Sequence, residues 1–328
     1  MATSLAEIRA RLQANEGRTG KNQSSGSDNA IYAHWNIPEN ASTKVRFLPD
    51  ADSKNTFFWI ERAMIKLPFA GIKGQTDSKP VTIQVPCVEM WGEACPILAE
   101  VRVWFKDPGL EDIGRKYWKK KSYLFQGFVR ENALGDDATP ENPIRRFMIS
   151  PQIFNIIKSA LMDAEMEEMP TDYTRGLDFT ISKTSKGGYA DYNTSKWARK
   201  ETALNAAEHE AIDKFGLFNL ADFLPKKPNE VELKVIKEMF EASVDGEPYD
   251  AERWAAYYKP YGLKTDGAAP AAHGITDDDI PAFTRAPAPV VDDEDDTPPV
   301  AAAPVAAPSA GGNKKAEDIL AMIRSRQK

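Results

Sequence analysis

Between Arg115 and Phe128 the sequence reads Arg-Lys-Tyr-Trp-Lys-Lys-Lys-Ser-Tyr-Leu-Phe-Gln-Gly-Phe, cations and rings interleaved. Arg115, Lys116, Lys119, Lys120 and Lys121 are charges that neutralise phosphates and release their counterions. Trp118 and Tyr123 offer flat faces on which unpaired bases stack, at ~1–3 kcal/mol per base. The two together are what a sequence-indifferent groove for single strands requires. Strand alternation puts Tyr123 and Phe125 on one face and Leu124 and Gln126 on the other, so some of these rings are expected to be core. A second set follows Lys183 and Lys186, in Gly187-Gly188-Tyr189-Ala190-Asp191-Tyr192. Its glycines predict a turn at a strand end, with Tyr189 and Tyr192 exposed beside Lys186.

Other chemistry is poorly represented. There is no Gly-x-x-x-x-Gly-Lys-Ser/Thr phosphate loop, no Gly-x-Gly-x-x-Gly and no Gly-x-Ser-x-Gly elbow. The three histidines, His34, His209 and His273, are scattered. Glu167 and Glu168 are a carboxylate pair in a polar turn with no other catalytic group beside them in sequence, so the chain does not read as an enzyme. Two cysteines in 328 residues cannot build a disulfide framework, which points to a reducing cytosol. No run reaches the ~18 apolar residues of a membrane span, and the N-terminus lacks a signal-peptide profile.

The formal net charge of −7 is unevenly spread. Residues 266–328 carry 11 acidic and 6 basic side chains, the other residues 38 and 36. Asp277–Asp279 and Asp292–Asp296 load this segment with acid, and Phe283 is its one aromatic residue. With so little apolar bulk it cannot offset its ordering entropy, so 266–312 is expected to be a disordered Ala/Pro-rich linker. A near-neutral body with a basic aromatic strip and an acidic tail fits a polyanionic ligand for which tail and ligand compete. The plainer reading is a solvated charged face and a solubilising tail.

The elements that must position the strip read as short strands. Lys44–Leu48, Thr56–Ile60, Val81–Val85, Ser122–Val129 and Leu177–Lys183 are rich in β-branched or aromatic residues and bounded by turn formers. Helices are predicted after Ser150-Pro151, with Ile153, Phe154, Ile157 and Leu161 as the apolar side, and after Asn229, with Val231, Val235, Met239 and Phe240 on one face. A last one starts at Asp250 and ends near Gly262. Residues 1–29 read as an arm. Ser4 and Glu7 form a capping box before Leu5, Ile8 and Leu12, with Arg9 and Arg11 off that stripe, and 15–29 is a flexible linker. The fold class is mainly β with helical additions, a small barrel or sandwich spanning 30–265.

Several of these segments, in order, resemble the single-stranded-DNA-binding protein family of T-even-type bacteriophages. Lys44-Val45-Arg46-Phe47-Leu48-Pro49 is similar to that family's Val-Ile-Arg-Phe-Leu-Pro strand, and Lys119–Val129 to its Arg-Lys-Thr-Ser-Tyr-Trp strand. Arg146-Phe147 followed by Ile153–Ile157, Glu165–Pro170, and Gly188–Trp197 continue the likeness across about residues 40–200. The resemblance implies an OB-fold barrel core and a groove for single-stranded DNA in replication, recombination and repair, inside the cytoplasm of an infected bacterial host. It implies self-association along DNA through the arm (Leu5, Ile8, Arg9, Arg11, Leu12) and replication proteins as partners of the tail. It adds Arg46 and Arg146 to the expected DNA contacts. An RNA-binding OB-fold regulator and a protein-only replisome scaffold are the competing classes.

The chain departs from that family at its structural zinc, held there by one His and three Cys ending in Cys-Pro-x-Cys. Here Cys95-Pro96-Ile97-Leu98 has leucine at the last ligand position, Cys87 is the other thiol, and no His lies between residues 35 and 208. Two thiolates do not complete a tetrahedral site, so no cofactor is expected and Ile97 and Leu98 should hold the subdomain by packing. One feature is the chain's own. Leu5-Ala6-Glu7-Ile8-Arg9-Ala10-Arg11 recurs as Leu320-Ala321-Met322-Ile323-Arg324-Ser325-Arg326. The second copy, with Ile319 extending its stripe, lies in a predicted amphipathic helix, 313–328. Both copies are expected to dock into one groove on a protomer, or the second serves as a partner-binding peptide.

Overall fold

The computed structural model describes residues 30–75, 77–135, 140–164, 166 and 168–260. The arm with Leu5, Ile8, Arg9, Arg11 and Leu12, the acidic linker, and the C-terminal helix with Ile319, Leu320, Ile323 and Arg324 all lie outside the described residues.

The described part is mainly β, built on one antiparallel sheet. Its strands are β1 (Ser42–Leu48), β2 (Trp59–Phe69), β3 (Val81–Pro86), β4 (Lys120–Glu131), β5 (Arg145–Ile149), β6 (Phe179–Ser182) and, after a separate hairpin, β9 (Lys196–Trp197). The hairpin is β7 (Thr184–Lys186) and β8 (Tyr189–Asp191). The order is β3-β2-β4-β1-β6-β9, with β5 also on β4. β4 organises the sheet. Its first half pairs with β2, its second half with β1, and Tyr123–Gly127 pair with β5. The backbones of β1 and β4 approach so closely that a Cβ on Gly127 would lie 2.1 Å from the Arg46 carbonyl oxygen, which is why glycine interrupts this otherwise bulky strand. Among the described residues no ladder joins β3 to β9, so the sheet is open rather than a closed barrel.

The sheet carries two main cores. In one, Phe47 on β1 meets Phe125 on β4 at 4.8 Å, Phe147 on β5 at 5.7 Å and Phe179 on β6 at 5.8 Å. Helix α3 (Pro151–Leu161) closes it with Ile153, Phe154 and Ile157, the face its spacing predicts. Such ring pairs add about 0.5–1.5 kcal/mol each beyond their buried area. The second core lies over the far half of β2 and over β3. It is covered by α1 (Pro96–Trp104), α2 (Glu111–Tyr117), α5 (Glu230–Val244) and α6 (Ala251–Trp254). A further helix, α4 (Ala206–Phe215), begins at an Asn205–Glu208 capping box.

Two helix expectations are corrected. Asn229 and Glu232 do form a capping box, yet α5 buries Ile236, Met239 and Phe240 while Val231 is exposed. The final helix stops at Trp254 after one turn, although Asp250 caps it as predicted. No helix among the described residues is long and apolar enough to cross a membrane.

Candidate functional site

The basic strip runs from the helical layer onto the sheet. Arg115 and Lys116 close α2, Arg115 in an ion pair with Glu111 and Lys116 over the Tyr117 ring. Trp118 is half-buried, edge-on to Phe105 with Arg102 above it, so its ring is already packed. Lys119 pairs with Glu89 at 3.2 Å, the exposed Lys120 bonds the Arg115 carbonyl, and Lys121 pairs with Glu61 at 3.5 Å. At Lys121 the strip enters a groove.

This groove encloses about 540 Å³ between the start of β2, the start of β4 and helix α3, a usual size for a ligand site. Aromatic and thioether side chains dominate it. Phe57 is 57% exposed, its ring 4.7 Å from that of Trp59, which in turn meets Phe154 at 5.3 Å. Tyr123 lies flat on Phe154 at the groove floor and is itself buried. Lys121 and Lys158 supply positive charge, and Met162 and Met169 form an exposed apolar end. The arrangement offers a shallow stack of ring faces with cations on the rim.

The glycine turn belongs to a hairpin that packs on α3. Gly187 and Gly188 adopt left-handed φ values of 62° and 83°, so Lys186 and Tyr189 face each other across the hairpin. The hairpin is tied to α3, where Gln152 donates to Asp191 at 2.6 Å and accepts from the Tyr192 backbone N–H. The same helix turns Phe154, Asn155 and Lys158 toward the groove.

Three expected contact residues are corrected. Arg46 is fully buried, bonded to Asp178 and to the Thr202 carbonyl. Burial and the neighbouring Arg130 push its pKa down. Arg146 is also buried, its guanidinium 3.8 Å from the Phe223 ring on the opposite face of the sheet. Tyr192 is 5% exposed and packs against His34, its phenol pushed up to about 12 by burial. Tyr189 is half-buried rather than exposed. The sequence reading had overlooked Phe57 and Trp59. The signal was the run Phe57-Phe58-Trp59 itself; the strand expected over Thr56–Ile60 begins only at Trp59, and in the bend before it Phe57 is exposed and Phe58 buried, with Trp59 half-buried.

No protein-family model matches the chain, and no curated protein matches it. The metal question therefore rests on the donor set. Cys87 and Cys95 are buried together in the helical core beside Val88 and Leu98, and a hydrogen bond between their thiols holds Cys95 toward the thiolate, at about 7, and Cys87 protonated. His34 belongs to a different neighbourhood, with Trp35 and Tyr192. Among the described residues no three His, Cys, Asp or Glu groups, the two thiols included, are arranged to hold a metal. The residues do not fit a four-ligand zinc.

His34 has its own consequence. Its pKa is lowered to about 4, chiefly by burial, and its Nδ1 has no partner. The unfolded chain takes up this proton near pH 6.5 and the folded chain only near 4, so stability present above pH 6.5 is lost as pH falls between them. A 2.5-unit gap corresponds to about 3 kcal/mol. Urea denaturation at pH 7 and pH 4 should show this loss, and His34→Phe should remove that part of the pH dependence. An equal pH response in the variant would refute it.

Proposed function

We propose that this protein binds single-stranded DNA passively and with little sequence preference, in phage replication, recombination and repair. The observation that carries the reading is the exposed Phe57, its ring against the half-buried Trp59, at the point where the Lys119–Lys121 run enters an aromatic groove. Stacked rings hold bases of any identity, and nearby lysines hold the backbone. The ordered likeness to the T-even-type phage family supports the same reading. The pairing of β4 with β1, β2 and β5 supports an OB-type barrel as the parent architecture. On this reading the arm joins neighbouring copies on DNA and the tail meets replication proteins.

The test is a titration with poly-dT. Trp59 lies in the groove, so binding at low salt should quench tryptophan fluorescence. Affinity should fall linearly on a log–log plot against salt, with a slope of roughly −0.7 per phosphate neutralised. Absence of quenching together with absence of a mobility shift would overturn the proposal. A matched RNA oligonucleotide bound more tightly than DNA would move the protein to the RNA-binding class.

A further inference from the structure

We propose, resting on the single-strand reading above, that Glu61 and Glu89 form an acidic latch on the lysine run, which the phosphates of a bound strand must displace. The register of the groove wall places the first of them. Trp59, Glu61 and Ala63 on β2 stand opposite Phe125, Tyr123 and Lys121 on β4. Strand alternation puts each set of three on one face. Glu61 is therefore the next side chain along from the stacking ring of Trp59. Lys121 is its diagonal neighbour, a spacing that long side chains bridge, and the two pair at 3.5 Å. A strand stacked on Trp59 and held at Lys121 passes over this carboxylate.

The second carboxylate comes from the 3-10 turn Val88–Trp91. Glu89 accepts from Lys119 at 3.2 Å and from Arg102 at 2.5 Å. Partial burial pushes its pKa up, yet the hydrogen bonds from Arg102 and Lys119 outweigh that and hold it below the ordinary glutamate value. It is charged at neutral pH. The Lys119 and Lys121 side chains are only 17% and 18% exposed, so salt screens these pairs less than pairs on an open surface. A phosphate approaching either lysine meets a neutralised cation with a carboxylate beside it.

Both pairs can open. When Lys119 turns to a phosphate, Glu89 keeps Arg102. When Lys121 does so, Glu61, which is 47% exposed, returns to water. Arg46 and Asp178 are both buried and have no such exit. The latch thus competes with phosphate yet yields to it, and it lowers affinity without abolishing binding.

The test compares Glu61→Gln, Glu89→Gln and the double variant with the parent, by anisotropy of a labelled oligo-dT. Glutamine keeps the size and an acceptor oxygen and removes the charge, and circular dichroism reports the fold. Glu61 is the more exposed of the two, so Glu61→Gln carries the test alone should Glu89→Gln unfold. Glu210→Gln is the control for net charge. Glu210 is exposed on α4, which packs at Phe128. Phe128 lies seven residues along β4 from Lys121, roughly 20 Å, beyond the Debye length of about 10 Å at 0.1 M salt. At that salt each latch variant should bind about two- to fivefold more tightly, the equivalent of an exposed ion pair. The double variant should also steepen the log–log salt slope by about 0.7 for each lysine released. If the parent binds and the latch variants bind no more tightly than Glu210→Gln, or if the slope is unchanged, the latch is overturned and the single-strand reading stands. If no form of the protein binds, both fall.

Discussion

Alanine at both Phe57 and Trp59 is expected to weaken binding to poly-dT by about 2–6 kcal/mol, since each base–ring stack is worth about 1–3 kcal/mol. That is a loss of at least thirtyfold in affinity, measured by anisotropy of a labelled oligonucleotide because Trp59 itself is removed. The single variants separate binding from folding. Phe57 is 57% exposed, so Phe57→Ala should leave stability within about 0.5 kcal/mol of the parent while costing its share of affinity. Trp59 also packs on Phe125 and Phe154, so Trp59→Ala should lose stability as well. A folded Phe57→Ala protein that binds poly-dT as tightly as the parent would remove the groove from the binding surface.

The contrast between helix α3 and Arg46 shows where sequence reading succeeds and where it fails. Local patterns carried β1, β3, β4, β6 and helix α3, since each has a period that survives whatever packs on it. Most of β2, Glu61–Phe69, did not show itself because both faces are covered and Arg62, Lys66 and Pro68 interrupt the apolar residues. β5 is buried along its whole length despite beginning Arg145-Arg146. The family resemblance implies surface positions for Arg46 and Arg146, where charged side chains usually sit. What makes burial tolerable lies far off in sequence: Phe218 and Phe223 for Arg146, Asp178 for Arg46. Tyr192 was read as a hairpin tip, but the hairpin ends at Asp191 and the next side chain turns inward against His34. The lysine run at 119–121 was legible because lysines seldom leave the surface, and its neighbours could be placed only once β2 and α3 were seen to flank it.

Asp178→Ala should lower the unfolding free energy by about 3–5 kcal/mol, because it breaks a buried network rather than a surface pair. Arg46, Arg130, Asp178 and Glu208 form two guanidinium–carboxylate sets between β1, β4, β6 and the start of α4. Arg130 Nη1 donates to Asp178 Oδ1 at 2.8 Å, and its Nε and Nη2 fork onto the two oxygens of Glu208 at 2.9 and 2.7 Å. Arg46 Nη1 approaches the same Asp178 oxygen at 3.4 Å, and Asp178 stands 132 residues away in sequence. Without Asp178, Arg130 keeps its bidentate carboxylate and the Thr202 hydroxyl. Arg46 keeps only the Thr202 carbonyl, a single neutral acceptor for a charge with no exposure to water. The cost therefore falls mostly on Arg46, which makes a specific test possible. Adding Arg46→Met to Asp178→Ala removes the stranded charge while keeping an unbranched apolar stem, and the double variant should be more stable than Asp178→Ala alone. Urea midpoints of the parent, the two single variants and the double variant close the cycle. If Asp178→Ala loses less than about 1 kcal/mol, the value of an exposed ion pair, or if Arg46→Met makes it worse, the network does not hold these strands together and Arg46 returns as a candidate for binding DNA.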